Sequence, residues 1–315
     1  MAGKSKCVIM ACALTLVLCF FSAKRATGEQ NAETELIQQI GWEISTGNIK
    51  TALADARQAI QQFPDSAILM HLLAVAESKN GHEDEARESF RKAIRLDPTI
   101  PQNYYDLALL DMRAEDYAEA TKMLQTYIGV SPQNAKAHLM LGIAYRKQKQ
   151  DALAMEQLKQ ALAVSSDLPL VHYNLGKIYA SQGNNRAALE EYRKELGINP
   201  EFYDVYCSAG YAELAEKNYD SAEALFQRGT KLKPLAYEAY FGLARTYLAQ
   251  GRLSKAESEL SVVIALAPED VEAHSLLAGV YTQQGKTLEA KREELVVETL
   301  KNRAKPADET PAPQQ

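Results

Sequence analysis

The side chains best suited to acid–base or metal chemistry are five histidines, His71, His82, His138, His172 and His274. His138 and His172 are 34 residues apart, and His274 falls in the same register further along. Imidazoles at equivalent points of stacked units could share a Zn²⁺, but a tetrahedral site needs further ligands and none of suitable type is evident. Tyr104, Tyr206 and Tyr240 occupy that same register, which favours packing by a flat side chain of medium size. Cys207 is the other reactive candidate. Its neighbours Asp204, Tyr206 and Ser208 supply no cation to lower its pKa, so an inert, buried thiol is expected. Adjacent acids such as Glu190 and Glu191 point in different directions on a helix and read as solvated surface. No Gly-rich phosphate loop, HExxH or Cys-x-x-Cys pair occurs. The expectation is a chain without enzymatic activity, cofactor or metal.

The elements that carry these residues repeat. Pro64, Pro98, Pro132, Pro200, Pro234 and Pro268 are spaced by 34 residues or twice that, with Ser166 in the vacant slot. With proline as position 32, residues 33–304 divide into eight windows of 34. Position 20 is alanine in all eight: Ala52, Ala86, Ala120, Ala154, Ala188, Ala222, Ala256 and Ala290. Position 8 is small after the first window, as Ala74, Ala108, Gly142, Gly176, Gly210, Ala244 and Ala278. Position 11 is Tyr145, Tyr179, Tyr247 or Tyr281 in half the windows, and position 15 is glycine in five. Position 24 is mostly large, as in Phe90, Leu124, Leu158, Tyr192, Phe226 and Leu260. Apolar positions 4, 7, 8 and 11 share one helical stripe and 20, 24 and 27 a second. Glycine turns the chain between them and proline ends the second helix. Small residues at 8 and 20 let two backbones approach while the large residue at 24 fills the adjoining space.

The order Leu-Gly, Tyr, Ala, Phe, Pro resembles the tetratricopeptide repeat, with "NLGKIYASQG" (174–183) and "GLARTYLAQG" (242–251) as first helices. The resemblance implies an all-α, right-handed superhelical solenoid of stacked antiparallel hairpins over residues 29–304, with first helices lining the concave side. The first window departs at Gln39, Ile40 and Glu43 and the last at Glu294, as suits capping units with one face in water. Residues 305–315, "PADETPAPQQ" with the preceding lysine, are too poor in apolar side chains to fold and are expected to form a loose tail.

Residues 1–28 have the layout of a secretory signal: Lys4 and Lys6, an apolar run from Cys7 to Phe21, and the small residues Ala26, Thr27 and Gly28. A periplasmic or secreted location follows as an expectation, the alternative being an inner-membrane anchor formed by residues 7–21. Membrane contact is expected only through that segment, if it is not cleaved. Removing it takes away four bases and no acid, so the formal charge moves from −6 to −10. That balance argues against a nucleic-acid partner. Cys207 is then the sole cysteine, so no disulfide forms within one molecule.

In the family that the sequence resembles, positions 2, 5, 6, 9, 12 and 13 line the groove. The candidates are Tyr105, Leu109, Leu139, Ile143, Arg146, Tyr173, Asn174, Lys177, Tyr211, Phe241 and Arg245. Arg113, Lys136 and Lys147 add positive charge. An aromatic and aliphatic groove with basic neighbours in an acidic chain points to a protein partner with an acidic or carboxylate-bearing segment. The expected function is a protein–protein interaction scaffold that binds peptide or helical segments of envelope partners. The alternative is a regulatory or adaptor subunit of a cell-wall or glycan-processing enzyme or export complex. The clamp that grips chaperone tails is not matched: Asn174 fits, but Leu139, Ile143, Asp204 and Ser208 do not. The asparagine ladder of O-linked N-acetylglucosamine transferase arrays fails too, since Leu72, Asp106, Met140, Ser208, Gly242 and Leu276 stand where it needs asparagine.

Overall fold

The computed structural model describes residues 28–303. The expected signal segment, residues 1–28, lies outside the described residues except for Gly28, and the expected tail, residues 305–315, lies wholly outside them. Sixteen helices and no strand occur among those described. They pair as hairpins: α1 (Gly28–Thr46) with α2 (Ile49–Gln62), α3 (Ala67–Lys79) with α4 (Glu83–Leu96), α5 (Pro101–Arg113) with α6 (Tyr117–Val130), and α7 (Ala135–Lys147) with α8 (Asp151–Val164). Then come α9 (Val171–Ser181) with α10 (Asn185–Ile198), α11 (Tyr203–Ala215) with α12 (Tyr219–Leu232), α13 (Tyr237–Ala249) with α14 (Leu253–Leu266), and α15 (Val271–Gln283) with α16 (Thr287–Arg303). The fold is an all-α helical repeat solenoid.

The turn between the helices of each hairpin has one conformation. Position 15 is left-handed in every window, glycine in five and Glu115, Lys149 or Lys217 in the other three. A residue there must adopt positive φ, which glycine does without steric cost. Position 20 alanines are buried throughout, and the large residues at 24 sit among them. Leu158 lies against Gly142, Tyr192 against Gly176, and Phe226 against both Gly210 and Gly242. A side chain on any of these glycines would push the two helices apart.

The prolines are tied down by position 4. The hydroxyls of Tyr104, Tyr206 and Tyr240 donate to the carbonyls of Pro98, Pro200 and Pro234 at 3.2, 2.9 and 3.2 Å. His138 and His274 reach Pro132 and Pro268 through Nε2 at 3.0 and 3.1 Å. These five first helices therefore latch the loop that precedes them, satisfying a carbonyl that proline's arrest of the helix leaves free.

The hairpins form two compact units, the first ending at Val164 and the second starting at Ser165. The boundary falls beside Ser166, which holds the slot that proline fills elsewhere. In the first unit α1 also touches α3; in the second, α9 touches α11 and α11 touches α13. Contact between successive first helices places them on the inner layer of their unit. At the start of the second unit the local geometry changes. Leu170 has φ of 75° and α9 begins two positions later than its counterparts. The carboxylate of Glu195, 0% exposed, caps this helix by accepting from the Leu170 N–H at 2.8 Å and the Tyr173 N–H at 3.2 Å.

The terminal helices differ as capping units should. In α1, Ile40 and Ile44 are buried against Ala52, Leu53 and Ala56, while Trp42 remains 61% exposed. In α16, Ala290 is buried and Leu288 and Leu295 face outward.

Candidate functional site

In the first unit, α5 and α7 present Tyr105, Leu109 and Ile143 as half-buried side chains, with Arg146 half-buried and Lys136 exposed beside them. The Tyr105 ring packs 5.0 Å from that of Tyr127 on α6, and burial raises the pKa of its hydroxyl. Arg113 is engaged: it donates to Glu83 at 2.8 Å and Ser78 at 3.1 Å.

In the second unit, Tyr173 and Tyr211 are half-buried, Lys177 is half-buried and Arg245 is exposed. Tyr173 lies 5.1 Å from Phe202 and 6.2 Å from Tyr192, ring centre to ring centre. Tyr211 meets Phe226 edge-on at 5.0 Å. Burial pushes the Tyr211 hydroxyl up to about 12, with the Arg245 charge opposing.

Three expected groove residues are interior. Leu139 and Phe241 are only 3% and 7% exposed, although Tyr105 and Tyr173 at the same position are half-buried. Asn174 is 4% exposed and its Nδ2 donates to the Leu170 carbonyl at 2.7 Å. It serves the irregular start of α9. Glu191 also departs from expectation. Glu190 is exposed, but Glu191 is drawn inward by His172 Nδ1 at 2.6 Å and by Lys194 at 2.7 Å.

The histidines act as packing and hydrogen-bonding groups. His138 uses Nδ1 on Gln157 at 2.8 Å, and His274 uses Nδ1 on Glu293 at 2.5 Å, besides their proline contacts. Among the described residues no three His, Cys, Asp or Glu side chains converge as metal ligands. Cys207 is buried with Tyr203 and Ala239. Desolvation pushes its pKa up to about 11, against a lowering hydrogen bond from Tyr203.

Sequence reasoning missed a polar cluster on the first unit's inner layer. His71 Nδ1 meets Asn103 Oδ1 at 2.8 Å, and Gln102 donates to Asp106 at 2.9 Å. Burial raises the pKa of Asp106, with the nearby His71 charge opposing. This face is thus less uniformly basic than the lysine and arginine tally implied. Also missed was an exchange at position 11. After the first window, which has Glu43 there, Glu77, Asp111 and Glu213 stand where tyrosine is absent, and arginine stands at position 25 of the preceding window as Arg57, Arg91 and Arg193. Two of these pairs approach within 4.0 Å, Arg57–Glu77 and Arg193–Glu213. The signal was legible as correlated residue types one window apart.

Tetratricopeptide repeat models match residues 43–101, 111–162, 144–183, 170–202 and 213–280. The chain belongs to the tetratricopeptide repeat family. Among solved structures it is similar to the Cut9–Hcn1 APC/C hetero-tetramer, with a TM-score of 0.62, 18% identity and 86% of this chain covered. The match spans 52%, about half, of that longer chain. A tetratricopeptide repeat protein from Parabacteroides merdae matches with TM-score 0.60 and 18% identity over 74% of this chain and 93% of its own. PilW, a type IV pilus biogenesis factor, matches with TM-score 0.59 and 21% identity over 64% and 93% respectively. At these identities the likeness establishes the fold. No curated protein matches at a significant level. Family and fold together define a protein-interaction scaffold.

Proposed function

We propose that the first-helix face of each unit binds peptide or helical segments of protein partners in the cell envelope. The observation that carries this reading is the half-buried series Tyr105, Leu109 and Ile143 in one unit and Tyr173 and Tyr211 in the other. Such side chains keep apolar surface available to a partner while neighbouring rings hold them in place, the preorganisation that makes an anchor effective. Lys136 and Arg146 in the first unit, and Lys177 and Arg245 in the second, favour an acidic or carboxylate-bearing segment. They contribute chiefly to encounter rate and orientation.

The envelope location rests on Lys4, Lys6 and the apolar run from Cys7 to Phe21. Among the described residues no helix is long and apolar enough to cross a membrane. Mass spectrometry of the envelope protein should find a chain that begins at Glu29. An intact N-terminus in the membrane fraction would replace export with anchoring.

Binding is tested with a partner identified by pull-down from envelope extract and then purified. Tyr173→Ala should weaken it by about thirtyfold, the consequence of losing a ~2 kcal/mol anchor. Lys177→Glu should weaken it less as salt rises, and Glu190→Ala should leave it unchanged. Wild-type affinity in the first two variants, with a loss in the third, would refute the assignment.

A further inference from the structure

The last helix, α16, breaks the repeat at two solvent-facing positions. In the first seven windows position 18 is exposed and is never apolar beyond alanine. Position 25 is arginine, glutamine, lysine or serine in those seven and exposed in six of them. In the last window both are leucine: Leu288 is 71% exposed and Leu295 63%. Seven residues apart, they share one side of α16. Paired exposed leucines where the same fold otherwise places polar side chains mark a surface that meets something.

That surface is not the unfinished end of the stack. Hairpins stack through positions 24 and 28: Phe226 lies against Gly242 of the next hairpin, and Ile94 and Ile264 pack into clusters with the next first helix. In α16 those positions hold Glu294 and Glu298, both exposed, so a further hairpin is not accommodated. Residues 304–315 contain no apolar side chain larger than proline and offer nothing to cover the leucines.

We infer that α16 pairs with α16 of a second copy of this chain, antiparallel, about a two-fold axis at Leu295. Charge selects that arrangement. Glu289, Lys291, Arg292, Glu294, Glu298 and Lys301 are all exposed. A parallel pair would set Arg292 against Arg292 and Glu298 against Glu298. An antiparallel pair centred between the leucines would set Lys291 against Arg292 and Glu289 against Glu294. Centred on Leu295, it sets Arg292 against Glu298 and Glu289 against Lys301, each twice by symmetry. Leu295 then packs on its own counterpart, and Leu288 rests beside the methylene stem of the second copy's Lys301. The helix is long enough for this: α16 has 17 residues where the other second helices have 14, which keeps Lys301 in helical register. The surface lies on a second helix and does not depend on the first-helix candidates.

Sedimentation equilibrium of the full chain, purified as the cell retains it, tests the pairing. Monomer and dimer should exchange with concentration, since a helix about 25 Å long makes a small interface. Leu295→Lys should melt like wild type, because the residue is exposed, and should sediment as a monomer. Arg292→Glu should weaken the dimer several-fold at low salt, and adding Glu298→Arg should restore it. Single cysteines under mild oxidation read the register, with Cys207 buried and out of reach. Leu295→Cys should give a disulfide-linked dimer, because the axis sets the two side chains face to face. Leu288→Cys should not, its two copies standing about 21 Å apart along the helices. A wild-type monomer at every concentration would overturn the inference and leave the leucines to a different protein or a lipid surface. Crosslinking of Leu288→Cys as readily as Leu295→Cys, or no rescue by Glu298→Arg, would overturn the antiparallel pairing.

Discussion

Gly210 on α11 and the ring of Phe226 on α12 leave no room between them: a Cβ on Gly210 would stand 2.7 Å from Cε1 and 2.8 Å from Cζ. The same relation joins Gly176 to Tyr192 and Gly142 to Leu158. It is how a hairpin closes, with one helix giving up its side chain so that the other can seat a large one. Gly210→Ala should therefore cost ~1–3 kcal/mol through overpacking, despite alanine's better helix propensity. Gly279 on α15 has nothing within 4 Å of a built Cβ, so Gly279→Ala should gain up to ~1 kcal/mol. Urea denaturation of the two variants checks the pair; shifts of the same sign would contradict it.

The cap at the start of the second unit makes a separate prediction. Glu195→Ala removes the acceptor of the Leu170 and Tyr173 amides and empties a fully buried position. A loss of more than ~2 kcal/mol is expected from unsatisfied donors and lost packing together. Hydrogen exchange at those two amides should accelerate with it. Unchanged exchange there would mean that the carboxylate is not the cap.

Cys207 should resist alkylation in the folded protein at pH 8. Burial pushes its pKa up to about 11, leaving little thiolate, and the sulfur is enclosed. Iodoacetamide labelling read by peptide mass spectrometry should modify Cys207 only after denaturant is added. Rapid labelling of the native protein would contradict its burial with Tyr203.

The bonds between Glu257 and Lys286, at 2.9 and 2.8 Å, hold the Glu257 carboxyl below its ordinary pKa, with Gln284 assisting. A depressed folded pKa contributes stability above the unfolded value, about 4.3, and that stability is lost as pH falls through the folded value. Lys286→Met should accordingly melt below wild type at pH 7, and the gap should shrink as pH is lowered past about 4. A gap that widens in acid would reverse the sign of this account.

Much of the fold was legible because the repeat constrains residue size at fixed intervals. The alanines at position 20 and the large residues at 24 named the helix contact before any coordinates. The left-handed position was legible at the five glycines but not at Glu115, Lys149 and Lys217, whose side chains give no sign of positive φ. The tie between position 4 and the proline carbonyl was hidden because tyrosine and histidine reach it with different atoms. On the candidate face, spacing told which helix layer a residue joins but not how deep it sits. Leu139 and Tyr105 share position 5, yet the leucine is buried and the tyrosine half-buried. Asn174 could not be placed from spacing at all, since its role depends on the displaced start of α9.

The central claim is that partners dock on the first-helix faces, and site-specific photocrosslinking in living cells tests it most directly. A benzophenone amino acid is placed singly at Ile143 and Lys177 on first helices, and at Leu153 and Glu190 on second helices, where both side chains are exposed. The account predicts that Ile143 and Lys177 crosslink to a discrete protein partner while Leu153 and Glu190 do not. Crosslinks from Leu153 and Glu190 alone would contradict it.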